Sequence, residues 1–78
     1  MSDYSKRLGE SIFQNRKRQK MTQADLAEKA GVTEQTIRKI EHGEGNPQLD
    51  VFCSLIAVLG IDPAEIVYPL RIAAASGR

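Results

Sequence analysis

Residues 22–41 read TQADLAEKAGVTEQTIRKIE, and the triplet Gly31, Val32, Thr33 in their middle leaves the chain few ways to fold. Thr22 with an acid three residues later, Asp25, is an N-cap followed by an acidic first turn. Leu26, Ala27 and Ala30 then recur at helical spacing, and Gly31 stands where a left-handed C-cap belongs. Thr33 caps the next segment, which carries Ile37 and Ile40 one turn apart, and Gly43 closes it. The first of these two short helices is only about eight residues long, and a glycine turn this tight crosses its helices at about 90 to 120°. Ala27 is small enough for close approach, while Val32 and Ile37 fill the angle between the two helices.

The flanking segments read as helices too. Tyr4, Leu8, Ile12 and Phe13 mark an amphipathic first helix over residues 5–19. Gly45, Asn46 and Pro47 form a loop. A fourth helix is predicted over residues 48–59, with Leu49, Phe52, Cys53, Leu55, Ile56 and Leu59 on a broad apolar arc and Gly60 at its end. Asp62, Pro63 and Glu65 combine an N-cap, a proline at the first helical position and a capping-box acid, so a short fifth helix begins there and Pro69 stops it. No segment reads as a strand, so the expected class is all-α with five helices. At 78 residues the chain has room for one domain with a thin core, since chains of this size bury only about 60% of their unfolded surface. Residues 1–70 are expected to form it, with 71–78 as a short C-terminal tail.

Charge position carries more than charge total. The net charge is +1 and the isoelectric point about 7.9, which gives no support to a nucleic-acid partner. Residues 1–20, however, hold six cations (Lys6, Arg7, Arg16, Lys17, Arg18, Lys20) against two acids, Asp3 and Glu10. The rest of the chain is slightly acidic. RKRQK is then either a basic patch or a solvated helix end whose cations offset the macrodipole. The longest apolar run is far short of the roughly 18 residues of a spanning helix, the first residues hold no secretory apolar stretch, and Cys53 is a lone cysteine. These features predict a cytoplasmic protein. One His and one Cys without ligand spacing supply no catalytic set, so neither an enzyme, a cofactor nor a small-molecule ligand is expected, and Cys53 reads as core.

The third helix can be examined by angle. With Ile37 at zero and about 100° per residue, Ile40 lies near 300° and the outward direction near 150°. Gln35 falls near 160°, His42 near 140°, Lys39 near 200° and Arg38 near 100°. That face bears amide, imidazole and cationic groups. Glutamine suits adenine N6 and N7, and Arg or Lys suits guanine O6 and N7, which is what a major groove offers. Glu34 stands nearer the side, one turn before Arg38, and either accepts from cytosine N4 or holds Arg38 as an i,i+4 partner. His42 either contacts a base or serves the helix dipole. Arg16 and Glu41 are charges on otherwise apolar faces, and isolated buried charges are too costly, so they are expected to pair and lock the first helix to the end of the third.

At this point the sequence resembles the phage repressor and Cro-like helix-turn-helix family of bacterial transcription regulators. The resemblance runs over residues 8–67 and rests on Arg16, Thr22, Gln23, Leu26, Ala27, Gly31, Val32, Thr33, Ile37, Ile40, Glu41, Gly43, Pro47, Leu49, Leu59 and Gly60. It implies a five-helix, lambda-repressor-like domain that binds double-stranded DNA as a dimer, with the third helix in the major groove. It further implies that Gln23 contacts phosphate from the start of the second helix, that Glu34, Gln35 and Lys39 face bases, and that Asn46 and Gln48 touch the backbone. Thr33 and Thr36, at the start of the third helix, join this backbone set, and Arg38 the base-reading set. The chain departs from the pattern at three places: Glu34 is an acid at a base-reading position, the loop offers amides where relatives have cations, and Gln48 stands where serine or aspartate usually caps the fourth helix. These departures bear on affinity and base preference.

Val51 and Val58 lie outside the predicted apolar arc of the fourth helix. With Ile61, Ile66, Tyr68, Leu70 and Ile72 they form a candidate two-fold patch, or else cover the first helix within one chain. A dimer would place two reading helices about 34 Å apart and require an inverted-repeat target. The competing reading is a helical protein-interaction module, an antitoxin-like neutraliser or a co-activator adaptor, using the same fold with little DNA specificity.

Overall fold

The computed structural model describes residues 3–67, and all regular structure among them is helical. Five helices follow in order: α1 (Asp3–Arg18), α2 (Gln23–Ala30), α3 (Glu34–Glu41), α4 (Leu49–Leu59) and α5 (Ala64–Val67). The fold class is thus the all-α, five-helix arrangement expected. Among the described residues no helix is long and apolar enough to cross a membrane.

Local chemistry sets the boundaries. The Thr22 hydroxyl accepts from the Asp25 amide at 3.0 Å, and the Asp25 carboxylate accepts from the Thr22 amide at 3.0 Å, so the capping box is complete. Gly31 adopts φ 74°, ψ 31°, and its successor's amide reaches back to the Ala27 carbonyl at 3.0 Å. A left-handed residue there is nearly free for glycine and costly for most others. Thr33 caps α3 by accepting from the Thr36 amide at 3.2 Å. Gln48 occupies the N-cap of α4 without a side-chain cap bond. Asp62 opens the last helix by accepting from the Ala64 amide at 3.0 Å. Pro69, expected to stop that helix, lies outside the described residues.

The core is one cluster of Leu8, Ile12, Leu26, Ala27, Ile37, Ile40, Leu55, Leu59, Ile61 and Ile66. α3 packs on both α1 and α2, α2 also meets α4, and α1 spans α3, α4 and α5. Two side chains of α1 extend this role: Gln19 Nε2 donates to the Leu59 carbonyl at 2.8 Å and Arg7 Nε to the Ile66 carbonyl at 3.3 Å. Both satisfy carbonyls at the C-terminal ends of α4 and α5, which intrahelical bonding leaves open.

Several sequence expectations are corrected here. Cys53, expected in the core, is exposed, and Leu49 is 75% exposed. Val51 and Val58, expected outside the buried arc, are half-buried against the core cluster. The buried direction of α4 is centred on Leu55 and Leu59, which rotates the arc away from Leu49 and Cys53. Ile61 and Ile66, expected at a subunit interface, are buried in this chain's own core at 5% and 0% exposure, which leaves them little surface to offer a second subunit. Tyr68, Leu70 and Ile72 of the same expected patch lie outside the described residues. Phe13, expected on the buried face of α1, is 40% exposed.

Candidate nucleic-acid interface

α3 is held at its C-terminal end by two separate contacts with α1. Its C-terminal residue, Glu41, takes a fork from Arg16: Nε to Oε2 at 2.6 Å and Nη2 to Oε1 at 2.9 Å. The remaining guanidinium nitrogen, Nη1, donates to the Met21 carbonyl at 2.9 Å. The side chains are only 8% and 5% exposed, so this is a desolvated bidentate pair, as two charges on apolar faces require. The Phe13 ring lies 5.4 Å from the guanidinium carbon and closes the outer side of the pair, while Lys17 Nζ lies 5.9 Å from the same ring. Gly9 supplies the second grip. A Cβ there would stand 2.3 Å from the Ile40 carbonyl oxygen and 3.0 Å from that of Glu41, so only glycine lets α1 meet the last turn of α3 so closely. Sequence reasoning passed over Gly9, and placed Phe13 on the buried face of α1 and not over the Arg16 guanidinium. A glycine within a strong helical pattern is itself a signal, because it costs about 1 kcal/mol relative to alanine unless packing demands it.

The outward face of α3 follows from that mounting. Ile37 and Ile40 are buried, and Glu34, Gln35, Arg38 and Lys39 are all exposed. Glu34 Oε2 accepts from Arg38 Nη2 at 3.2 Å, the i,i+4 pair that was one of its two expected roles. His42 is the C-cap residue, and its Nδ1 lies 3.0 Å from the Arg38 carbonyl, which favours the helix-end role over base contact. Thr36 is half-buried, and its hydroxyl lies 2.9 Å from that of Thr33.

Two shallow clefts flank this helix. One gathers Arg16, Lys17, Lys20, Met21, Thr22, Gln23 and Glu34, where the basic end of α1 meets the start of α2 and α3. The other gathers Thr36, Lys39, Ile40 and the loop residues Gly45, Asn46 and Pro47. The structure therefore brings Gln23 and Glu34 together on one side, and Thr36, Lys39 and Asn46 on the other. Gln48 is exposed but lines neither cleft. Lys17 and Lys20 were not singled out residue by residue from sequence, although the RKRQK run was the signal for them. Gln23 is half-buried, and its Nε2 donates to Glu41 Oε1 at 3.1 Å, so the amide proposed to meet phosphate is also tied to the buried pair. One of its two amide hydrogens remains for an outside acceptor.

Electrostatics at the cap reinforce the geometry. Asp25 is held below its ordinary 3.8, first by the Thr22 backbone amide and then by the Thr22 hydroxyl, with Lys29 adding a smaller pull.

A family model described as helix-turn-helix matches residues 12–66, which takes in the second half of α1, both helices of the tight turn, α4 and most of α5. No curated protein and no solved structure matches the chain.

Proposed function

We propose, from the chain's membership of the helix-turn-helix family of DNA-binding regulators, that it recognises a specific duplex sequence through α3. The observation that carries this reading is the exposed row of Gln35, Arg38 and Lys39 on a short helix clamped at its end by the Arg16–Glu41 pair and by Gly9. Gln35 and Lys39 discriminate among bases in the major groove, Gln35 toward adenine and Lys39 toward guanine. Gln23, Thr33, Thr36, Asn46 and Gln48, with Lys17 and Lys20, set register through phosphate contacts, which position without specifying. Residues 1–70 form the binding unit, and regulation follows from occupancy at a promoter.

The protein acts as a homodimer on an inverted repeat whose half-sites lie about one helical turn apart. The exposed Leu49 and Cys53 with the half-buried Val51 and Val58 support α4 as the source of the shared surface. The test is a fluorescence titration of duplex DNA over a series of salt concentrations. Binding that falls steeply with salt, saturating at two chains per inverted repeat, is expected; flat salt dependence would favour the protein-interaction reading, because phosphate-dominated association must weaken with salt.

A further inference from the structure

We propose that Glu34 and Arg38 act as one recognition unit for a G·C base pair, with Glu34 holding Arg38 off phosphates everywhere else. The inference rests on the reading of α3 as the groove-entering helix and extends it to base identity.

Among the described residues Glu34 is the only acid lining the two clefts beside α3, and it shares the first of them with Lys17 and Lys20. The other acid of the helix, Glu41, is consumed by Arg16. A carboxylate on a surface that meets a polyanion repels phosphate, so its charge has to be matched by a cation beside it or an amino group on the bases. Its present partner is Arg38, and each side chain of the pair keeps 49% exposure, so both can reach a groove without being dug out of the fold.

The pair presents an acceptor and a donor 3.2 Å apart. Across the major-groove edge of a G·C pair, cytosine N4 donates and guanine O6 and N7 accept, so the carboxylate meets the amino group while the guanidinium meets the two acceptors. The N4 and O6 atoms are themselves hydrogen-bonded at about 2.9 to 3.0 Å, so the two pairs of atoms match in spacing as well as in sense. The Glu34–Arg38 bond can therefore persist in the complex, since Arg38 has five donors to distribute. An A·T pair offers the amino group of adenine and O4 of thymine, but no second acceptor beside O4 for the guanidinium, and it is disfavoured. On random DNA the carboxylate finds a donor only in some registers, and its charge opposes binding in the rest.

The experiment pairs wild type with Glu34→Gln and Arg38→Gln, each checked by circular dichroism for an unchanged fold. A randomised duplex library is carried through rounds of binding and sequencing, and affinity for unselected DNA is measured against salt. Wild type is expected to enrich a fixed G·C pair at one position of each half-site, and both variants to lose preference there while keeping it elsewhere. Glu34→Gln is expected to bind unselected DNA about 3 to 10 times more tightly, with a salt slope steeper by about 0.9 as Arg38 turns to a phosphate. Weaker or unchanged binding of unselected DNA by Glu34→Gln, or retention of the G·C position by both variants, overturns the proposal while leaving the DNA-binding reading intact. Absence of salt-sensitive binding by wild type sinks both.

Discussion

Arg16 and Glu41, twenty-five residues apart in sequence, face each other through two parallel contacts of 2.6 and 2.9 Å inside a protein with few buried polar groups. The pair joins α1 to the last residue of α3, and Gln23 adds a third element by donating to the same carboxylate. Removing one member leaves the other charge buried and unpaired. Arg16→Ala is expected to destabilise the fold by about 3 to 5 kcal/mol in urea unfolding. Replacing both residues with apolar ones of similar volume, Arg16→Met with Glu41→Leu, is expected to recover most of that loss, because two well-packed hydrophobes need no desolvation. An Arg16→Ala protein with wild-type stability would remove the clamp from the account.

Lys39 tests the reading of bases apart from the fold. It is exposed, and its neighbours in the cleft, Asn46 and Thr36, have no need of its charge for packing. Lys39→Ala is expected to cost about 1 to 3 kcal/mol of affinity on the selected site and clearly less on unselected DNA, with no change in melting temperature. Equal losses on both DNAs would make Lys39 a phosphate contact.

Gly9 separates packing from propensity. In a helix interior, alanine ordinarily stabilises by about 1 kcal/mol over glycine. Here the added methyl would stand 2.3 Å from the Ile40 carbonyl oxygen, a backbone atom that cannot swing away. Gly9→Ala is therefore expected to destabilise by about 1 to 3 kcal/mol and to shift the last turn of α3. Weakened binding of the selected site beyond what the stability loss explains would mark the shift, read by comparing affinities at a temperature where both proteins are fully folded.

The parts of the molecule legible in its sequence are those decided within one turn of chain or by a cost too large to leave unmet. Thr22, Asp25, Gly31, Thr33 and Gly60 cap their helices because capping depends on residues three or four positions away. Arg16 and Glu41 were legible because each had to find the other. α4 was not, for the opposite reason. Leu49, Val51, Phe52, Cys53, Leu55, Ile56, Val58 and Leu59 place apolar groups around most of its circumference, so periodicity cannot say which arc is buried, and contact with α2 and α1 decides it. The same limit put Ile61 and Ile66 at an interface when they already belong to this chain's own core. Gln23 shows a subtler case: its donation to Glu41 depends on where the far end of α3 comes to rest, which no local spacing encodes.

Lys20 sits in the left-handed region at φ 60°, as the residue that ends α1, with the Met21 amide returning to the Arg16 carbonyl at 3.0 Å. A side chain there costs on the order of 1 kcal/mol that glycine avoids. Lys20→Gly is expected to raise stability by about 0.5 to 1 kcal/mol in thermal melting. The same change removes a cation from the cleft beside Gln23, so DNA binding should weaken, with a salt slope shallower by about 0.9 if the ammonium meets a phosphate. Stability and affinity moving in opposite directions would identify Lys20 as a residue retained for charge at a conformational cost.

The capping box of α2 gives the molecule a defined acid sensitivity. The Thr22 amide and hydroxyl hold the Asp25 carboxyl below its ordinary 3.8, so folding favours the charged form. The resulting stability is present above the unfolded value and is lost as pH falls through the lower folded value. Asp25→Asn keeps an oxygen that can accept from the Thr22 amide but carries no charge to lose. The variant is therefore expected to be less stable than wild type near neutral pH, and the gap between them to narrow as the pH is taken below 3.8. Denaturant midpoints measured for both proteins from pH 7 downward read the gap directly. A gap that stays constant across that range would mean the cap works through its hydrogen bonds alone, without help from the charge at the start of the helix.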